Sequence, residues 1–573
     1  MTKATVFATI FLLILFSDVS CLKKREKNEI ETVSIVVTSD VHGRFFYREN
    51  SGDGSLSQVS SFIKNLESER KVVVLDNGDM MQGSPGNILI NNFSSDYDRN
   101  PVALMMDYMG YEAASVGNHE IEHGEEFYSN LSKDFSFPWL SSNILDKKSG
   151  ELYFNPWHII EVEELKIVVA GSSVVSSMFS IPPKKRRKLH FEVFEKAMDR
   201  TLKNLKNNIE YDLMVGLFHI GSEDFVMDYI QNEAVFDVVF LGHDHKVLSK
   251  TVKNESGKKT HVLNPGAYAK NAAVFSFDYD GKSISNIKSD IFSLEEYPAD
   301  PHFDETFAIL KKLVEKYEDI KIGYVEGEIT AVSALFGDSR YMKLIHDVML
   351  ENSDADISLS APIAFDTKIS GKITNRDIFE IYPFHNYLYI VSMYGYEIKN
   401  LLDFSVEKWF DSSEEKYFLK IKNSCRKGKN SEIKGSFCLE NKFYNFMSAS
   451  GMKYTVNTKK QLKPDVSIHS VNGKPFSKRK KYKVAIDSYH ANDGGKLISK
   501  GAGINGKKFS ERIVSISDKG IRDMIVRYVS EKKIIKNFHE ENWKVKDKNS
   551  SLIVKEKKII LKNFSDDSKG RRK

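Results

Sequence analysis

Between residues 34 and about 290, short apolar runs alternate with amphipathic stretches. The runs fall at 35–37, 72–75, 167–170, 213–218 and 238–241. They are four to six residues long or slightly shorter, rich in β-branched types, and most are closed by Gly or Asp. That pattern predicts buried strands. Strands separated by amphipathic segments predict a layered α/β domain, whose ligands gather beyond the strand ends. Asp300-Pro301 then offers a cap and a first-turn proline. Phe303, Phe307, Leu310, Leu313, Val314 and Tyr317 recur at helical spacing. The stretch 323–328 reads as a hinge. From Ser333 a second set begins, with strands expected at 357–360, 387–393 and 482–486 and helices at 341–351 and 397–407. The expected plan is a signal segment at 1–21, an N-terminal domain at 31–299, a linker helix and hinge at 300–332, a C-terminal domain at 333–545, and a basic tail at 546–573.

Composition narrows the class without naming a function. Hydrophobic residues make up 41% and charged residues 28% of the 573 positions, an ordinary globular balance. A formal charge of +4 gives no reason to expect a nucleic-acid polymer as partner. Lys3, the apolar stretch 4–16 and the small residues before Cys21 match a secretory signal, and the stretch is short for a membrane span. Export to the periplasm or cell envelope is therefore expected. The cysteines are Cys21, Cys425 and Cys438. The odd count is accounted for if Cys21 carries a lipid anchor and the other two pair, with free thiols as the alternative. The run 184–188 (Lys-Lys-Arg-Arg-Lys) reads as a solvated loop.

Five polar clusters follow the apolar runs: Asp40-Val41-His42, Gly78-Asp79, Gly117-Asn118-His119-Glu120, His219, and Gly242-His243-Asp244-His245. Asp40 and His42 stand two apart at a strand end, where alternate side chains point the same way. Both can reach one ion, and His243 and His245 repeat the spacing. Asp79 is the natural bridge between two cations. Asn118 offers a neutral oxygen, and His219 an imidazole. Alone, each cluster is as well explained by turn chemistry. Together, in one domain, they point to a pair of metal ions.

These clusters resemble the D-x-H, G-D, G-N-H-[ED] and G-H-x-H motifs of calcineurin-like metallophosphoesterases. Residues 76–85 (Asp-Asn-Gly-Asp-Met-Met-Gln-Gly-Ser-Pro) and 264–268 (Asn-Pro-Gly-Ala-Tyr) narrow the resemblance to the 5′-nucleotidase family. It covers roughly residues 31–545. It implies an α/β/β/α metallophosphoesterase sandwich joined by a linker helix to a C-terminal α/β nucleotide-binding domain. It further implies two divalent metal ions. Asp40, His42, Asp79 and His245 would hold one, and Asp79, Asn118, His219 and His243 the other. The mixed nitrogen and oxygen set suits Zn, Mn, Co or Fe. By resemblance His119 acts on the phosphoryl group rather than on a metal, and Glu122 stands where the family often places the Asp that orients it. His123 reads as incidental.

Substrate choice falls to the second domain, where the family sandwiches the base between two rings. Phe446 and Tyr489 match those platforms, with ordinary core packing as the alternative. The family's phosphate-gripping stretch ends in Arg, whereas residues 360–365 here (Ser-Ala-Pro-Ile-Ala-Phe) contain none. That departure resembles the branch of 2′,3′-cyclic-nucleotide 2′-phosphodiesterase/3′-nucleotidases. The resulting expectation is an exported dimetal hydrolase of nucleotides, acting in salvage with no obligatory protein partner. The alternatives are a 5′-nucleotidase or UDP-sugar hydrolase, and an inactive nucleotide-binding surface protein.

Overall fold

The computed structural model describes residues 30–546, apart from 50–51, 94–98, 179–180, 223, 234, 366, 412–417, 423–437, 459–462 and 538–540. The signal segment with Cys21, the tail beyond 546 and Cys425 lie outside the described residues.

In the N-terminal half the apolar runs form two six-stranded sheets. In the first, Glu31–Thr38 lies between Asn271–Tyr279 and Lys71–Asp76, and Tyr111–Ser115 follows. In the second, Val238–Leu241 lies between Leu213–His219 and Lys259–Pro265, and Leu165–Ser173 follows Leu213–His219. The inner faces pack as one dry layer that includes Ile35, Val37, Leu75, Val169, Leu217 and Phe240. Helix Leu56–Glu67 covers the first sheet, and helices Phe194–Asn208 and Asp224–Asn232 cover the second. Alternate residues of each central strand thus enter different cores: Val36 and Val74 face the helices, while Ile35 and Leu75 face the opposite sheet. Two-sided burial explains why these strands read as continuous apolar runs. The layers are α/β/β/α, as expected.

The linker region departs from expectation. Helical periodicity resolves into two short helices, Pro301–Thr306 and Ala308–Glu318. The segment expected to be a hinge is strand Lys321–Thr330, paired with Lys368–Thr374 and with Ile534–Ile535. Its partners lie far along the chain, so its pairing left no local signal. Strand Lys321–Thr330 is thus paired with strands of the C-terminal half. The central sheet of that half runs Ser448–Ser450, Ile357–Ser360, Lys481–Asp487, Tyr387–Tyr394 and Ile513–Gly520. Helices Arg340–Glu351 and Ile521–Lys532 pack on one side and Gly395–Trp409 on the other. Cys438 is buried and disulfide-bonded. Among the described residues no helix is long and apolar enough to cross a membrane.

Candidate metal centre and substrate cavity

The central strands of both sandwich sheets run parallel, so their C-terminal ends share one edge. All five polar clusters sit there. Asn77 ties the two sheets together: its amide donates to the carbonyls of Phe218 (3.0 Å) and Phe240 (3.4 Å). The turns are tight. Asp40 N–H donates to Gly78 O at 2.9 Å and His42 N–H to Asp79 O at 3.0 Å. A Cβ on Gly117 would lie 2.3 Å from Asp79 Oδ1, so this position admits only glycine.

The backbone at the site is strained. Asp40, His42, Asp79, His243 and His245 have φ of 51°, 53°, 60°, 68° and 57°. Left-handed conformation is uncommon for non-glycine residues. Each such residue costs on the order of 1–3 kcal/mol and persists where surrounding structure over-determines it. Here the lock includes Glu120, to which sequence reasoning assigned no role. Its buried carboxylate accepts from the N–H groups of Asp79, Gly117, Met80 and Met81 at 2.9–3.1 Å. An acid directly after Asn118-His119 was visible in the sequence; its four backbone partners were not.

The side chains form two groups. Asp40, His42 and His245 present donor atoms within 4.8 Å of one another, and Asp79, His219 and His243 do likewise. His42 Nδ1 lies 2.7 Å from Gln82 O, and His219 Nδ1 lies 2.6 Å from Asn77 O. In each ring Nδ1–H donates to that carbonyl, which leaves Nε2 as the ligand atom, the usual outer-shell arrangement of metal-binding histidines. Asp40 Oδ2 accepts from Ser39 Oγ (2.5 Å) and His243 N (2.9 Å), while Oδ1 is buried without a hydrogen bond. Asn118 Oδ1 is likewise buried without one. Asp79 Oδ1 accepts from His119 N (3.0 Å), and Oδ2 lies 3.2 Å from His219 Nε2. Oriented nitrogens, a central carboxylate and buried acceptors without donors fit two divalent cations. A third grouping of His42, Asp79 and His119 overlaps the first two. Glu122 holds the His119 ring through Nδ1, which leaves its Nε2 free as well.

His119 Nδ1 lies 2.7 Å from Glu122 Oε2. Burial disfavours a charged imidazole, but Glu122 and Asp79 outweigh it and push His119 up to about 9. Burial equally opposes ionisation of Glu122, and the His119 cation overcomes this to hold it down at about 2. His42 goes the other way: burial and the neighbouring His245 bring it down to about 3, so its ring is neutral.

A cavity of about 2380 Å³ joins the two halves of the molecule. His42, Asp79, Asn118, His119, Glu122, His243 and His245 line one wall, with Asp40 and His219 buried behind them. Tyr444, Asn445, Tyr489 and Asp493 line the other. Phe446 does not reach the cavity, which corrects its expected role. It is fully buried and stacks on Trp409, centroids 5.0 Å apart. The ring that faces Tyr489 is Tyr444, two residues earlier, at 5.9 Å and edge-on. His490 fixes the pair: Nδ1 lies 2.5 Å from Asp487 and Nε2 2.9 Å from the Tyr444 carbonyl. A base entering between the rings requires their planes to turn parallel. The stretch 360–365 is buried and contributes only Ile363 to the wall.

The calcineurin-like phosphoesterase model matches residues 33–247, and the 5′-nucleotidase C-terminal domain model matches residues 321–500. The chain belongs to the family that joins these two domains, and it is a metal-dependent phosphoric ester hydrolase. It is 22% identical over 610 residues to the trifunctional nucleotide phosphoesterase protein YfkN of Bacillus subtilis, covering 93% of this chain and 40% of that one. The chain thus spans well under half of that longer relative. It is 22% identical over 547 residues to the 2′,3′-cyclic-nucleotide 2′-phosphodiesterase/3′-nucleotidase of Haemophilus influenzae, covering 81% of this chain and 80% of the other. The fold matches the 5′-nucleotidase precursor of Thermus thermophilus with a TM-score of 0.63 at 19% identity, over 90% of this chain and all of that one.

Proposed function

We propose that this chain is an exported hydrolase of 2′,3′-cyclic nucleotides and 3′-nucleotides, releasing nucleoside and phosphate for salvage. The observation that carries this reading is the single cavity, with a metal-type donor set on one wall and paired tyrosines on the other. Two divalent ions, when bound, supply Lewis acidity to the phosphoryl oxygens and a lowered pKa for water. Asp40, His42, Asp79 and His245 would hold one, and Asp79, Asn118, His219 and His243 the other. Glu122 orients His119 so that Nε2 faces the cavity, where it hydrogen-bonds a phosphoryl oxygen and protonates the leaving oxygen. Tyr444 and Tyr489 stack on the base, which tolerates different bases.

The choice of phosphate position rests on the stretch 360–365, which carries no guanidinium to grip a 5′-phosphate, and on the Haemophilus relative's named activity. Export rests on the pattern of residues 3–21. A lipid anchor at Cys21 remains part of the proposal. A panel of 2′,3′-cyclic AMP, 3′-AMP, 5′-AMP and UDP-glucose with added Mn or Zn tests the reading. The first two are expected to exceed the third; a strong preference for 5′-AMP would overturn it in favour of a 5′-nucleotidase.

A further inference from the structure

The basic run 184–188 is only partly the solvated loop its composition predicts. Lys184 is exposed, but Lys185 is half-buried and reaches the C-terminal domain, where Nζ lies 2.7 Å from the Tyr387 hydroxyl and over that ring. Tyr387 is buried at the start of strand Tyr387–Tyr394, in the central sheet of its domain. Its hydroxyl has three partners. With His385 in its Nε2–H tautomer, it accepts from Lys185 and from His385 Nε2 (3.1 Å), and its own proton goes to the backbone carbonyl of Glu122 at 3.4 Å. One proton and two lone pairs are thereby all used. On the other side, the Tyr387 N–H donates to Ser488 Oγ (3.1 Å), next to the Tyr489 platform. Among these contacts, the hydrogen bond to Glu122 joins the C-terminal domain to the segment that orients His119.

We propose that Tyr387 is a positioning residue for the His119–Glu122 dyad. Clasped by Lys185, its hydroxyl fixes the Glu122 backbone, so the dyad's geometry depends on where the C-terminal domain sits. This inference rests on the dyad role proposed above. It also gives the base platform a physical connection to the reacting end, through Ser488, Tyr387 and Glu122.

The test uses the metal-loaded full chain and two substrates, 3′-AMP and glycerol 2-phosphate, the latter having no ring to stack. Tyr387→Phe is expected to lower kcat for both roughly three- to tenfold, the effect of about one hydrogen bond. KM for 3′-AMP and the bound metal content stay near wild type. Lys185→Met should reproduce the loss and Lys185→Arg should largely restore the rate. In a Glu122→Gln background, Tyr387→Phe should cost nothing further, because residues acting as a unit are not additive. The inference is overturned if Tyr387→Phe changes only KM for 3′-AMP, or if its loss is undiminished in the Glu122→Gln background. If Glu122→Gln itself leaves the rate unaltered, the dyad reading falls and takes this inference with it. If Glu122→Gln is slow while Tyr387→Phe is as fast as wild type, only this inference falls.

Discussion

In the proposed mechanism Asp79 and His119 have separate roles, so their variants should separate. Asp79 presents Oδ2 to His219 and anchors the His119 backbone through Oδ1. Because the proposed ligand set shares it, Asp79→Ala is expected to lose both ions, read as metal content per chain. His119→Ala should retain both ions and lose roughly 100- to 10,000-fold in kcat, the usual contribution of a positioned acid. The protonation state gives an independent check on the metal-free protein. With its folded pKa raised to about 9, His119 stays charged below that pH and loses its proton only as pH rises through it. Imidazole NMR should find that titration near pH 9. Glu122→Gln should move it downward, because the neutral amide no longer stabilises the cation. A wild-type His119 titrating at its ordinary value would contradict the Glu122 pairing.

At the scale of elements, the segment from Phe443 to Phe446 separates packing from recognition. Tyr444→Ala and Tyr489→Ala are each expected to raise KM for 3′-AMP by roughly 5- to 150-fold, from about 1–3 kcal/mol of stacking. Neither should affect glycerol 2-phosphate, which has no ring to stack. Phe446→Ala should instead destabilise the fold by about 3–5 kcal/mol, as loss of a buried aromatic ring does, with KM little changed; denaturant melts distinguish the two. The sequence pointed to a segment that reaches the cavity through Tyr444, not through Phe446. Loop-like neighbours surround both residues, and only the stack on Trp409, 37 positions earlier, sends Phe446 inward. The strand Lys321–Thr330 was not legible for a similar reason: its pairing partners are remote. The sandwich strands were legible because burial on both faces writes itself as an unbroken apolar run.

Across the whole molecule, five short clusters spread over more than 200 residues were readable as one centre because each ends a parallel strand. Their left-handed backbone was not readable, since a non-glycine residue carries no local mark of positive φ. Nor was the contact from Lys185 across to Tyr387, which depends on how the two domains lie. The cavity places the proposed ligands on one domain and Tyr444 and Tyr489 on the other, so under the proposed function the domain arrangement bears directly on turnover. The proposed activity requires the paired cationic centre. Its most direct test is anomalous diffraction from crystals of the full chain grown with excess manganese. Two peaks flanking Asp79 are predicted, one beside Asp40, His42 and His245 and one beside Asn118, His219 and His243. A single peak among His42, Asp79 and His119, or no peak in the cavity, would contradict it.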